Sequence, residues 1–327
     1  MFPERRLRRL RKRQMQPLFQ ETVLSRDDLI VPLFFDETIT EPIEISSMPG
    51  QFRYPISMAA EVCEDICNAG LRAVLLFGIP VKKDESGTSA YERDGVIQKT
   101  VRAIKENVPG IVVITDVCAC EYTDHGHCGI IGDTCDGTDL LNDPSLKLMA
   151  KIAVSHAESG VDMVAPSCML DGMVATIRKA LDDHGYENIP VMSYSTKFSS
   201  ALYGPFRDAA DSGFSFGDRT TYQMSPANGR EAVLESKLDI REGADIVMVK
   251  PAGIYLDILS AVAALGLPVA AYQVSGEYSM IKAAVQNGWL DEKAVVMETL
   301  TCIKRAGADL IITYYAIDAA RWLNEEQ

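Results

Sequence analysis

Ile246-Val247-Met248-Val249-Lys250-Pro251 is an unbroken apolar run closing on a lysine and a proline, with Gly243-Ala244-Asp245 before it and Ala252-Gly253 after it. Apolar residues at every position, rather than at alternate ones, describe a strand buried on both faces, as in a parallel sheet covered by helices. The run therefore reads as a strand covered on both sides, with a lysine at its mouth. A lysine held against an apolar core has its pKa lowered by desolvation, leaving amine free to attack a carbonyl. The bland alternative is a long stem carrying its charge back to water.

Working outward, further strands are predicted over 29–35, 73–77, 111–115, 162–166, 190–194, 268–274 and 309–315, besides 244–250. Helical patterns lie between them, over 58–68, 95–107, 146–158, 173–184, 229–242, 254–264, 294–305 and, last, 316–325. Strands regularly alternating with helices predict a (β/α)8 TIM barrel, with an open doubly wound sheet as the competitor. Glycine-containing stops such as Glu158-Ser159-Gly160 and Arg305-Ala306-Gly307 keep the turns before strands short. Two connections after strands, 116–145 and 195–228, are long, and in a barrel both open onto the end that carries active sites.

The chain has 327 residues, 47% hydrophobic and 24% charged, enough for one large core. No run approaches membrane-span length. The net charge is −14, yet residues 1–13 hold seven basic residues and one acidic one; setting them aside, 25 basic face 45 acidic residues. An acidic body argues against nucleic acid as partner, and Gln14-Met15-Gln16-Pro17 after the charges argues against a secretory signal. The expectation is an arm over 1–25 that packs on a neighbouring copy, and one catalytic domain over 26–327. Eight cysteines without a signal segment fit a reducing, cytoplasmic setting better than a disulfide framework.

The first long connection begins Asp116-Val117-Cys118-Ala119-Cys120-Glu121-Tyr122-Thr123-Asp124-His125-Gly126-His127-Cys128. Three thiols and two imidazoles on a short loop suit zinc, and three thiolate ligands leave a position open for catalysis. A buried or redox-sensitive thiol cluster is the alternative, and the histidines read equally as ligands or as supports of the ligands. The second begins Ser193-Tyr194-Ser195-Thr196-Lys197, another strand ending in lysine, and continues through Tyr203-Gly204-Pro205-Phe206-Arg207 and Gly217-Asp218-Arg219. Two ammonium groups at adjacent strand mouths are expected to lower each other's pKa. Two arginines in a lid suit a carboxylate-bearing substrate, though either alone reads as solvated surface.

With Met248-Val249-Lys250-Pro251-Ala252-Gly253 and Tyr272-Gln273-Val274-Ser275-Gly276-Glu277, these motifs resemble the porphobilinogen synthase (5-aminolevulinate dehydratase) family from end to end. The resemblance implies condensation of two 5-aminolevulinate molecules into a pyrrole, with loss of two waters, on the route to haem and other tetrapyrroles. It implies imines at Lys250 and Lys197, a catalytic zinc on Cys118, Cys120 and Cys128, and Asp116 as proton shuttle or orienter. Arg207 and Arg219 would hold one carboxylate, Ser275 and Tyr314 the other, with Ser167, Tyr203 and Tyr272 lining the pocket. It also implies a homo-octamer built from dimers and an allosteric magnesium at Glu231, in Gly229-Arg230-Glu231-Ala232; read alone, Glu231 simply suits a helix start. Cys135 and Cys168 fall outside the motif and receive no role. Two other readings are a single-imine aldolase with structural zinc, and a non-catalytic zinc-binding assembly protein.

Overall fold

The computed structural model describes residues 6–134, 137–213, 215 and 217–325. A short helix, α1 (Arg6–Leu10), leads to β1 (Leu29–Asp36), all eight residues of which are buried. A small ribbon of β2 (Ile43–Glu44) and β3 (Phe52–Pro55) precedes α2 (Ala59–Asn68). There follow β4 (Ala73–Ile79), α3 (Val96–Asn107) and β5 (Val112–Val117). An antiparallel hairpin, β6 (Ile131–Thr134) with β7 (Gly137–Leu140), stands before α4 (Asn142–Glu158). The chain continues with β8 (Met163–Pro166), α5 (Met173–Asp183), β9 (Met192–Lys197), α6 (Gly204–Ala209) and α7 (Gly229–Glu242). It ends with β10 (Ile246–Lys250), α8 (Leu256–Ala263), β11 (Val269–Gln273), α9 (Ser275–Gln286), α10 (Glu292–Arg305), β12 (Leu310–Thr313) and α11 (Ala316–Glu325).

The order β8-β5-β4-β1-β12-β11-β10-β9 is parallel throughout, and a Val164–Val191 bridge joins its ends. This is the eight-stranded barrel that the alternation of patterns predicts. Helices must then cover every strand's outer side, which explains the uninterrupted apolar runs. Gly78 in β4 shows how closely they approach: a Cβ there would lie within 3 Å of Val96, Ile97 and the Tyr122 hydroxyl. Leu75 in the same strand is fully buried, and its truncation to alanine would cost about 2–5 kcal/mol.

Several elements differ from expectation, among them the unpredicted α1, α6 and β2–β3 ribbon. The helix α9 was not predicted, the strand predicted over 190–194 runs on to Lys197, and the connection 116–145 contains the β6–β7 hairpin. No helix among the described residues is long and apolar enough to cross a membrane.

Candidate active site at the barrel mouth

Strand alternation aims the two lysines. Thr196 bonds outward to Ser236 (2.9 Å) and the Ala232 carbonyl on α7, so Lys197 next to it faces the other way. The β9–β10 register sets Lys197 directly opposite Lys250. Both are almost wholly buried, at 6% and 4% exposure.

Their surroundings diverge. Lys250 Nζ lies 4.1 Å from the ring centroid of Tyr272, 4.9 Å from Phe206, 5.1 Å from Tyr194 and 5.4 Å from Tyr203. Burial, then the charge of Lys197, lowers its pKa to about 7. Lys197 Nζ donates to the Ser167 carbonyl at 2.6 Å. Burial pushes its pKa down, but negative charge at Cys128, Cys118 and Asp116 outweighs this and holds the ammonium above its ordinary value. The expected mutual lowering therefore holds for Lys250 and fails for Lys197, which has the Cys128 thiolate and Asp116 for neighbours.

Asp116, near the end of β5, accepts from Ser167 Oγ at 3.0 Å, while its other oxygen is buried without a hydrogen-bond partner. Burial raises its pKa, and the two lysines pull against that. Beyond it the chain turns tightly, with Tyr122 and Thr123 N–H both donating to the Ala119 carbonyl and Thr123 Oγ1 donating to the His127 carbonyl. Gly126 supplies a positive φ of 73° at the return. The sulfurs of Cys118, Cys120 and Cys128 consequently lie within 4.8 Å of one another, all buried. Three soft donors converging in this way fit zinc better than magnesium or calcium. Hydrogen bonds from Cys118, Cys120 and Cys168 hold the Cys128 thiol well below its usual range.

The imidazoles turn aside from this trio. His125 Nε2 lies 3.2 Å from the Glu85 carbonyl and His127 Nδ1 lies 3.1 Å from the Tyr222 hydroxyl, fastening the loop to its surroundings. Two residues that the spacing did not single out stand beside the thiols. Cys168 Sγ is 3.6 Å from Cys118 Sγ, and Glu121, raised to about 7 by burial and then by Asp116, accepts from Cys120 at 3.3 Å. Cys168 directly follows Ser167 at a strand mouth, which was the available signal. Cys135 lies outside the described residues.

From the second lid, buried Arg219 donates to the Gly126 and Ser212 carbonyls at 2.9 and 3.2 Å. Arg207 on α6 is half-buried, and burial, then Arg219, lowers its pKa, so the two guanidinium groups share one neighbourhood. On the Lys250 side, Ser275 Oγ accepts from Phe206 N–H at 2.9 Å, the Tyr272 and Tyr314 hydroxyls are 3.2 Å apart, and Tyr203 donates to the Lys250 carbonyl at 3.1 Å. Glu231 is not brought to this centre. It stands at the start of α7, accepts from Asn228 Nδ2 at 3.0 Å, and lines a separate cleft of about 390 Å³ with Asp171 and Glu235.

The family model described as delta-aminolevulinic acid dehydratase matches residues 4–322. The chain belongs to the delta-aminolevulinic acid dehydratase family. It is 56% identical over 323 residues to the Archaeoglobus fulgidus protein of that name, covering 98% of this chain and 99% of that one. The Bacillus subtilis member is 51% identical over 322 residues, covering 98% of each. A solved structure of the Toxoplasma gondii enzyme, also called porphobilinogen synthase and bound to its product porphobilinogen, superposes with a TM-score of 0.95 at 39% identity, covering 100% of this chain and 93% of that one.

Proposed function

We propose that this dehydratase-family chain joins two molecules of 5-aminolevulinate into porphobilinogen, with loss of two waters, through imines at both Lys250 and Lys197. The observation that carries the reading is the pairing of the two lysines at one level of adjacent strand ends, both buried. Each amine attacks a ketone and expels one water. Each lysine is released when a new bond between the substrates replaces its imine. With a pKa of about 7, Lys250 offers free amine at neutral pH, and the rings around it keep water from the bond it forms. Asp116, with one oxygen unpartnered, takes and returns protons between the lysines. Arg207 and Arg219 suit one carboxylate, Ser275 and Tyr314 the other, and Ser167, Tyr203 and Tyr272 line the space between.

Zinc held by Cys118, Cys120 and Cys128 would supply Lewis acidity on the Lys197 side. A magnesium at Glu231 is a separate matter. Glu235, raised by burial and by Asp171, Asp239 and Glu231, marks a surplus of negative charge that a divalent cation there would offset. The experiment for the reaction is incubation with 5-aminolevulinate and reading with Ehrlich's reagent. One pyrrole is expected for every two substrates consumed, and no pyrrole from the metal-loaded protein would sink the proposal.

We further infer a homo-oligomer, an octamer built from dimers, clasped by the arm over 1–25 against the barrel of 26–327. Leu18, Phe19 and Val23 lie exposed on that arm, as contacts for another copy would. A truncate beginning at Ser25 should elute as a smaller assembly; an unchanged size per chain would refute the clasp. The seven described cysteines are free thiols, which supports a cytoplasmic setting.

A further inference from the structure

Glu277 is a buried carboxyl group, 6% exposed, with no ion-pair partner among the described residues; burial raises its pKa to about 7 against the pull of its backbone hydrogen bonds. Such a group is costly unless its oxygens are bonded. Here they are bonded to backbone on two different loops. Oε1 accepts from Gly253 N–H at 2.6 Å, in the turn just after Lys250, and Oε2 accepts from Val274 N–H at 2.7 Å, at the start of α9. The same first turn of α9 also anchors the lid. Ser275 Oγ takes the Phe206 N–H, and Gly276 packs so closely that a Cβ would meet the Leu202 carbonyl oxygen at 2.5 Å. From the lid's side, Tyr203 returns a hydrogen bond to the Lys250 carbonyl, which also accepts from Phe198 N–H at 3.0 Å. The turn after Lys250 is thus tied to this helix start by one carboxyl group, and the Lys250 carbonyl is tied to the lid that the same helix start carries.

We propose that Glu277 is a positioning residue that ties the turn after Lys250 to the first turn of α9, and so keeps the Lys250 amine inside its ring of aromatic side chains. The assignment deepens the two-imine reading without touching substrate. Glu277→Gln keeps size but replaces one acceptor oxygen with a donor, so either Gly253 or Val274 loses its partner. Gly253→Ala attacks the same contact from the other side, since its Cβ would lie 2.3 Å from Glu277 Oε1. The readout is acetic anhydride labelling of the intact protein across pH, resolved at each lysine by peptide mass mapping.

In the unaltered protein the labelling midpoint of Lys250 should lie near 7. In either variant it should rise by about one unit or more as the amine leaves the rings, while that of Lys197 stays put. A midpoint at Lys250 that does not move in a folded variant, or one that moves equally at both lysines, overturns the assignment. Labelling needs no imine, so this test stands apart from the reaction. Borohydride trapping with 5-aminolevulinate on the unaltered protein tests the imines themselves, and failure there with the labelling shift present would remove the mechanism and leave Glu277's role intact.

Discussion

Lys250 and Lys197 face each other at one level of adjacent strands, yet the structure gives them opposite electrostatic surroundings. Around Lys250 are four aromatic rings and the charge of its twin, and the amine is driven toward neutrality. Around Lys197 are thiols, Asp116 and a backbone carbonyl, and the ammonium is held. Burial is the first influence on both; the sign of the net shift follows from what else is near. Lys250 thus has a share of free amine at neutral pH. The other is held as an ammonium by the Cys128 thiolate and Asp116.

The comparison can be broken most severely at the amines. Lys250→Met or Lys197→Met should lower pyrrole formation by about 10³-fold or more, since no neighbouring group can form the missing bond. Stripping metal with EDTA should lower it by roughly 10²-fold or more. Borohydride trapping at Lys250 should survive that treatment, because its pocket contains no thiol ligand. Removing the Tyr203 hydroxyl with Tyr203→Phe costs one hydrogen bond to the Lys250 carbonyl, about 1 kcal/mol, or roughly fivefold in kcat/KM.

A further effect lies in stability. The folded pKa of Lys250, about 7, is below its ordinary 10.5, so between those values the unfolded chain binds more protons. Stability should therefore rise with pH across that window, and Lys250→Met should flatten the rise seen in urea titrations at pH 7 and 9. An unchanged slope would place the amine in water.

The barrel was legible because strands covered on both faces print as apolar runs, and Lys250 because its run ends so abruptly. Helix α9 was not, because Ser275-Gly276 after an apolar run reads as a breaker while Glu277's reach back to the Val274 N–H depends on the folded turn. The β6–β7 hairpin escaped for a different reason: its residues are half-exposed or exposed, leaving no alternation to detect. The thiol spacing disclosed the cysteine trio. Cys168 and Glu121 join that trio only across strands or a turn, and Tyr194 and Phe206 meet Lys250 from separate elements. The opposed pKa shifts belong to that same class of information, made of distances between residues remote in the chain. Glu231 was legible as a carboxylate at a helix start, but its separation from the lysines came only from the placement of α7.

The most direct measurement is borohydride trapping with 5-aminolevulinate on the metal-loaded protein at a series of pH values, with each lysine mapped by mass. The account predicts adducts on both Lys197 and Lys250, with the Lys250 adduct rising as pH passes through about 7. Adduct on only one lysine at every pH, or a Lys250 adduct that appears only near the ordinary lysine range, would contradict it.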